Sequence, residues 1–358
     1  MKIFFKALFL NLCLLFLNIT KAQDPAFSQF YAAPVFLNPS LVGGDNTIAA
    51  NLNYQTNTNK YLYPHTLGQF TVSIPVLMNT QKRVRKKPQL QNYVGSVALT
   101  AYNEFMGADH EYRITGINIT TTYFTQIGLS HFIAFGAQLG MINKAIDYSK
   151  LTWGSQFVPI TGFDGTIAPS VVISNEKITY PIVNAGVTWF YNIDNFSAFK
   201  DAKLRAFAGL AVSNLNKPDD SFYDVEKVQL PLLYKMHGGL TFPLSDRYEL
   251  MPNCLFMHQS NANYLNIGTY IGYYISPKLS NSSTYSQIQL GSWYRFGDSY
   301  IISLGFEMKN LILGISYDFN LSNYNYNNTG VRTFEISIKY KTNNKTRENR
   351  RNISHPLI

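Results

Sequence analysis

The sequence predicts an all-β protein that crosses a membrane as an antiparallel up-and-down β-barrel of about fourteen strands. Three observations predict this class. Aromatic residues make up 15% of the chain and charged residues only 14%, against roughly 25% charged residues in soluble domains. Segments of about 9 to 11 residues with period-two alternation recur, which is the length of a tilted membrane strand. Beyond the N-terminal leader, no apolar stretch reaches the roughly 18 residues of a membrane helix.

Residues 1–22, MKIFFKALFLNLCLLFLNITKA, have the features of a secretory signal peptide. Two lysines precede an apolar run, and Ala22 is a small residue at the expected cleavage point. The mature chain is therefore expected to begin at Gln23. Cys13 would leave with the leader.

An apolar segment rich in aromatic residues lies between the leader and the first strand. It comprises residues 23–45 and includes QDPAFSQFYAAPVFLNPSLVGG. Pro25 suits the first position of a short helical turn, which would place Phe27 and Tyr31 on one face. We expect Pro34 to end this turn. The segment is too short and too interrupted to cross a membrane.

The aromatic residues Phe27, Phe30 and Tyr31 of this segment are candidates for docking a partner. We predict that the segment lies on the periplasmic side. One hypothesis is that its aromatics pack into the periplasmic mouth of the barrel as a plug. The other hypothesis is that a protein component of a larger complex binds them.

The strands are predicted from alternation, which is clearest in the C-terminal third. In LILGISYDF, Leu313, Ile315 and Tyr317 fall on one face while Ser316 and Asp318 fall on the other. The predicted strands of the barrel, residues 46–340, are 46–55, 67–77, 93–103, 112–124, 130–142, 183–193, 203–213, 232–242, 246–257, 265–276, 285–295, 299–308, 310–319 and 332–340. An even number is typical of bacterial barrels.

The connections indicate which end faces the periplasm, because such barrels have short periplasmic turns and long outer loops. Connections after odd-numbered strands include the long segments 143–182, 214–231 and 320–331. Connections after even-numbered strands include the short segments 125–129, 243–245 and 309–310. The exceptions are 79–92 and a short outer hairpin at 296–298. A soluble sandwich would also alternate, but its exposed faces should be polar.

The net charge of +9 is concentrated in two clusters, so we do not expect nucleic-acid binding. The first cluster is Lys82, Arg83, Arg85, Lys86 and Lys87, and the second is the basic tail 341–358. By the strand count both lie on the periplasmic side. One interpretation is solvated turns. The other is a docking surface that steers an acidic periplasmic protein.

Motifs for chemistry are absent from the sequence, so we expect no enzyme, cofactor or metal site. The histidines are His65, His110, His131, His237, His258 and His355, and none has metal-ligand spacing. Cys254 would be alone in the mature chain, which excludes an intrachain disulfide. Glu104, Asp109, His110 and Glu111 form the most suggestive cluster, which we interpret as a polar hairpin loop.

Several strings resemble successive blocks of the PorP/SprF family, outer-membrane proteins of the type IX secretion system in Bacteroidetes. They are QDPAFSQFYAAPVFLNPSLVGG, GLAVSNLNKP at 209–218, LPLLYKMHGGLTFPLSDRYELMPN at 230–253, GTYIGYY at 268–274, LGSWYRFGDSYIISLGFE at 290–307 and NLILGISYDFNLSNY at 310–324. The resemblance covers nearly the whole mature chain.

The resemblance implies a non-enzymatic barrel of the cell outer membrane, in contact with membrane lipids, that works with the secretion and gliding machinery. It implies two kinds of protein partner: large adhesin-like surface proteins with a C-terminal sorting domain, and periplasmic ring and peptidoglycan-binding components. No catalytic or cofactor residues accompany it. A passive pore or small-solute transporter remains the alternative, since fourteen strands fall between filled eight-stranded and open sixteen-stranded barrels. A barrel enzyme is the weakest hypothesis.

Overall fold

The chain forms one closed antiparallel barrel of fourteen strands. The computed structural model describes residues 27–44, 47–57, 64–77, 93–128, 130–168, 176–192, 204–223, 227–275, 286–321 and 332–342. The order of strands around the barrel follows the chain, so the predicted up-and-down topology is confirmed. In the part of the chain described, no helix has the length and apolar character to cross a membrane.

The structure contains sixteen strands in the described residues, of which two lie outside the barrel. The barrel strands are β1 (Ala49–Asn57), β2 (His65–Leu77), β3 (Tyr93–Met106), β4 (Tyr112–Gln126), β5 (His131–Ile146), β8 (Lys177–Asn192), β9 (Arg205–Ser213), β10 (Leu233–Pro243), β11 (Tyr248–Gln259), β12 (Ala262–Tyr274), β13 (Ser286–Arg295), β14 (Ser299–Met308), β15 (Leu311–Asn320) and β16 (Arg332–Lys341). A small hairpin, β6 (Phe157–Val158) and β7 (Gly162–Phe163), lies between β5 and β8.

All fourteen predicted strands are present, but β5 and β8 are longer than predicted. The predicted strands end at residue 142 and begin at residue 183. In β8 the apolar residues change face at this point, because Tyr180 and Ile182 are buried in the lumen whereas Val183 lies on the outer face. The backbone ladder continues beyond these points, and Ala145 pairs with Lys177. Backbone pairing does not require apolar side chains on the outer face, so hydropathy alone underestimates these two strands.

The two ends of the barrel differ in their connections. The terminal end is where β1 begins and β16 finishes, and the loop end is opposite. The loop end carries the connections 147–176 and 214–232. The connections at the two ends differ in length less clearly than predicted. The twelve-residue connection 193–204 joins strands at the terminal end, and the two-residue turn 260–261 joins strands at the loop end. The predicted periplasmic position of the terminal end therefore depends mainly on the two longest connections.

Closure of the barrel is made by the first and last strands. β1 pairs with β16 from Ala49 opposite Lys341 to Asn57 opposite Thr333. The barrel sheet therefore has no open edge, and every barrel strand is paired with a neighbour on both sides. This is the requirement for crossing hydrocarbon, where an unpaired backbone group costs several kcal/mol.

The barrel is polar inside and apolar outside. In β1 the side chains of Asn51 and Asn53 are buried in the lumen, while Leu52 between them is 46% exposed on the outer surface. The same outward exposure of large apolar side chains is found at Phe70, Leu99, Ile117, Ile119, Leu139, Leu210, Ile271 and Leu290. This pattern is the reverse of a soluble protein and is that of a barrel surrounded by lipid.

Aromatic side chains lie on the outer surface towards both ends. Near the terminal end, Trp189 stacks with His131 and with Tyr191 at centroid distances of 5.7 Å and 6.2 Å. Near the loop end, Tyr294 contacts Phe296 edge-on at 4.9 Å. Rings at both borders of an apolar band are typical of the two interfaces of a bilayer.

Arginine at Leu139 tests the lipid-facing surface. Leu139 lies in the middle of β5 and is 64% exposed. Leu139→Arg should lower the free energy of unfolding by about 2–4 kcal/mol, because it places a charge near the bilayer midplane. Ile160→Arg, at the tip of the β6–β7 hairpin, should have little effect. The measurement is urea-induced unfolding in lipid vesicles, and equal effects of the two substitutions would contradict the assigned surface.

Candidate functional site in the barrel lumen

Residues 27–44, here called the lumenal segment, lie inside the barrel. The hydroxyl of Ser28 donates to Asp318 at 2.5 Å, close to where β15 reaches the loop end. The hydroxyl of Ser96 donates to the carbonyl of Val42 at 2.8 Å, near the terminal end. The segment therefore runs along the lumen from one end towards the other before the chain enters β1.

The helical parts of the lumenal segment differ from the prediction. Pro34 begins helix α1 (residues 34–37) instead of ending a turn, because proline at the start of a helix loses no hydrogen bond. The side chain of Asn38 caps the 3₁₀ helix that follows. Residues 27–33 are not helical, so Phe27 and Tyr31 do not share a helical face.

The three predicted aromatic docking residues are buried against the barrel wall. Phe27, Phe30 and Tyr31 are 3%, 5% and 4% exposed. Phe27 packs edge-on against Phe36 at 5.8 Å, and Tyr31 packs edge-on against Phe207 of β9 at 5.2 Å. Their rings fill the lumen in this arrangement, and their role in docking a partner stays a prediction.

Glu335 of β16 holds the beginning of the lumenal segment. Its Oε1 accepts from the backbone N–H of Ser28 at 2.6 Å, and its Oε2 accepts from that of Gln29 at 2.9 Å. The side chain of Gln29 bonds to the hydroxyls of Ser316 and Ser337 at 3.3 Å and 2.9 Å. The two bonds that the Glu335 carboxylate accepts are charge-assisted, and such bonds are roughly twice as strong as neutral ones.

Arg295 of β13 joins the same region to the rest of the wall. Its Nη1 lies 2.9 Å from Asp298 Oδ2, and its Nη2 lies 3.0 Å from Asp318 Oδ2. Nη2 also donates to the Ser28 hydroxyl at 2.6 Å, and Nε donates to the Tyr264 hydroxyl at 3.1 Å. A guanidinium presents its five donors in a rigid fork, so this network fixes where Ser28 lies.

Asn38 anchors the second half of the lumenal segment. It is fully buried, and its Nδ2 faces the carbonyls of Val187 and Leu210 at 3.3 Å and 3.2 Å and His237 Nε2 at 3.0 Å. Its Oδ1 accepts from the Ser40 hydroxyl at 2.7 Å. One amide thus links the segment to β8, β9 and β10.

Glycines in the wall leave room for the lumenal segment. A Cβ added at Gly136 of β5 would lie 2.2 Å from the backbone nitrogen of Ser40, and one added at Gly186 of β8 would lie 2.0 Å from Asn38 Oδ1. Both distances are shorter than any contact that a real side chain makes. The wall is therefore shaped to this segment.

The connection between β5 and β8 presents apolar side chains at the loop end. Phe157 and Phe163 pair across the β6–β7 hairpin and are 62% and 53% exposed, and Ile160 at its tip is 94% exposed. The Thr166 hydroxyl donates to Asp164 at 2.6 Å, which lowers the pKa of that carboxyl below its ordinary value. The hairpin is thus an ordered turn with an apolar surface outside the barrel.

A family model described as "Type IX secretion system membrane protein PorP/SprF" matches residues 19–340. The chain belongs to the PorP/SprF family. It is therefore a β-barrel of the outer membrane and a membrane protein of the type IX secretion system, as the sequence predicted. No curated protein matches the chain.

Solved structures of other barrels are similar only distantly to this PorP/SprF protein. The Ralstonia pickettii toluene transporter TbuX is 11% identical, with a TM-score of 0.44 over 90% of this chain and 96% of its own. A Pseudomonas aeruginosa FadL homologue is 11% identical, with a TM-score of 0.39 over 85% and 92%. The KdgM porin is 7% identical, with a TM-score of 0.37 over 82% and 99%. Similarities with such low TM-scores do not indicate that this chain transports a solute.

The basic residues predicted to dock a partner lie outside the described residues of the PorP/SprF barrel. They are Lys82, Arg83, Arg85, Lys86 and Lys87. The leader 1–22 and the tail beyond residue 342 lie outside them as well. The docking role of both basic clusters stays a prediction.

The acidic and histidine residues singled out from the sequence do not form one site. Glu104 is buried in the lumen, and its Oε1 lies 2.7 Å from His65 Nε2. Asp109, His110 and Glu111 form an exposed turn, in which the Asp109 N–H donates to Glu111 Oε2 at 3.2 Å. Within the described ranges, no three His, Cys, Asp or Glu side chains are placed to hold a metal ion.

No sequence pattern indicates that four residues hold the lumenal segment, although the first three lie in the strings that resemble the PorP/SprF family. They are Asn38, Arg295, Asp318 and Glu335. Asp318 and Glu335 fall on the polar face of their strands, and acids there are notable in a chain with 14% charged residues. That signal marks them as lumenal, but alternation does not predict which residues they bind.

Alanine at Gly136 tests the fit of the lumenal segment. In a Cys254→Ser background carrying Ser40→Cys, maleimide should label the new thiol slowly, because Ser40 is fully buried. Adding Gly136→Ala should speed labelling about tenfold, since overpacking costs about 1–3 kcal/mol. Gly68→Ala is the control, because its Cβ would have 4.0 Å of clearance. Fast labelling without either alanine would contradict the burial of the segment.

Proposed function

We propose that this barrel assists export or surface retention of large cell-surface proteins that carry a C-terminal sorting domain. We also propose that its periplasmic side docks to the ring and peptidoglycan-binding components of the secretion system. Family membership supports interaction with the machinery and its cargo in general. The main support for the proposal is that the lumen is occupied. A filled barrel has no channel for a substrate, so partner proteins would bind at its two ends.

The alternative of a passive pore or solute transporter requires an open path through the lumen. The lumenal segment contacts the wall from Ser28 near the loop end to Val42 near the terminal end. Cavities of about 20, 30 and 110 Å³ that are lined by described residues lie beside it. The contacts along the whole length of the segment favour a closed barrel over a water-filled channel. The family and fold also point to a non-enzymatic role.

The loop end is the surface that we assign to cargo. The β6–β7 hairpin exposes Phe157, Ile160 and Phe163 to solvent at this end. Aromatic side chains such as those of Phe157 and Phe163 are enriched among residues that bind protein partners. In the predicted orientation they face the cell exterior, where a secreted protein would be retained.

The secretion role and the pore alternative are distinguished by one pair of measurements. The purified barrel in a planar bilayer should show no steady conductance, because the lumenal segment fills it. Cells without the protein should lose specific large proteins from their surface, as seen by surface proteomics. A conducting barrel whose deletion leaves those proteins in place would replace the proposal with the pore hypothesis.

The basic cluster is tested by co-purification of periplasmic partners. Replacing Lys82, Arg83, Arg85, Lys86 and Lys87 with Ser should reduce recovery of these partners several-fold at low salt, where charge steering is strongest. A charge-matched control replaces five exposed basic residues at the loop end and should have no such effect: Arg113, Lys150, Lys177, Lys217 and Lys227. Unchanged recovery in the first variant would reject the cluster as a docking surface.

A further inference from the structure

A cavity of about 110 Å³ lies between the lumenal segment and the barrel wall. Val35, Phe36 and Pro39 of the segment line one side of it. Strands β3, β4, β5, β8, β9 and β10 line the other, together with Asn214 and Leu230 of the connection that follows β9. It is therefore at the loop end of the lumen.

One polar atom in the wall of this cavity has no protein partner. Asn118 Oδ1 is buried without a hydrogen bond, in a residue that is only 4% exposed. The Tyr180 hydroxyl interacts with the Asp220 carboxylate, whose Oδ2 lies 2.7 Å from the Lys144 ammonium. Buried polar atoms in native proteins are almost always satisfied, so Asn118 Oδ1 points to a bound group with an N–H donor.

Hydrogen-bond acceptors and donors lie on different sides of the cavity. Acceptors lie on neighbouring strands β3 and β4, as the Glu104 carboxylate and Asn118 Oδ1. Donors lie on β5 and β10, as the Lys144 and Lys235 ammonium groups, of which Lys235 also donates to the carbonyl of Phe36. An ammonium has three N–H donors, and Asp220 accepts one of those of Lys144. A ligand with an N–H group at one end and a carboxylate at the other matches this arrangement.

Aliphatic side chains form the rest of the wall. Ile142 and Ile182 pack together with Tyr180, and Ile114 and Leu230 pack against them, and all of these residues line the cavity. The volume is slightly below the roughly 150 Å³ of an apolar cavity that takes up benzene. The occupant is therefore about the size of a small amino acid with an aliphatic side chain.

We propose that this cavity binds a small aliphatic α-amino carboxylate. Its carboxylate lies on the Lys144 and Lys235 side, and its N–H group lies on the Glu104 and Asn118 side. Its side chain packs against the isoleucines. A free amino acid and the C-terminal residue of a polypeptide share this chemistry. The proposal is independent of the secretion role proposed above.

Calorimetry on the full-length, detergent-solubilised barrel tests the ligand class with three probes. L-valine carries both charged groups, N-acetyl-L-valine represents a C-terminal residue, and L-valinamide lacks the carboxylate. At least one carboxylate probe should bind saturably, and valinamide should bind about tenfold more weakly, because it lacks the charge that the lysines would meet. Tighter binding of valine identifies a free amino acid, and tighter binding of N-acetylvaline a chain end. Saturable binding by neither carboxylate probe, or equal binding of valinamide, overturns the proposal.

Lys235→Met tests the position of the site. It removes one ammonium and leaves the Lys144 and Asp220 pair intact, so the tighter carboxylate probe should bind about tenfold more weakly. Lys150→Met, in the connection outside the cavity, is the matched control and should leave affinity unchanged. Asn118→Ala provides a second variant on the opposite wall. Heat-modifiable gel migration verifies that each variant is folded. Folded variants at Lys235 and Asn118 with unchanged affinity overturn the assignment of this cavity.

Discussion

The pairing of β1 with β16 is the interaction on which the rest of this structure depends. A sheet in hydrocarbon cannot leave an edge open, because lipid offers no hydrogen bonds to backbone groups. Closing the sheet makes an inside and an outside, and the two faces of every strand then meet different solvents. The outward apolar side chains and the buried asparagines, glutamines and threonines of the lumen both follow from that closure.

Fourteen strands also create a space that their own side chains cannot fill, since about eight strands is the size at which a barrel interior is just filled. The lumenal segment occupies part of that space. Its aromatic rings pack against Phe207 and other inward rings. Its polar atoms meet Arg295, Asp318 and Glu335, whose charges are paired within the lumen or with the segment. Wall and segment therefore complete one packed interior.

A filled barrel in the outer membrane presents two surfaces to proteins. Membership of the PorP/SprF family connects those surfaces with type IX secretion. The ends differ in chemistry, because the loop end carries an ordered hairpin with exposed Phe157 and Phe163, whereas both basic clusters of the sequence belong, by strand count, to the terminal end. The two ends of the barrel therefore offer proteins surfaces of different chemistry.

The sequence by itself determined the strands, the number that close the barrel and, where the alternation is clean, which residues share a face, because period-two alternation is a local property of the chain. It did not predict that Pro34 begins a helix, that β5 and β8 extend beyond residues 142 and 183, or how far loop length separates the ends. Only the tertiary structure decided the path of the lumenal segment and its anchors. Ser28 and Glu335 are 307 residues apart in the chain, and no local pattern of hydropathy specifies a contact that closure of the whole barrel creates.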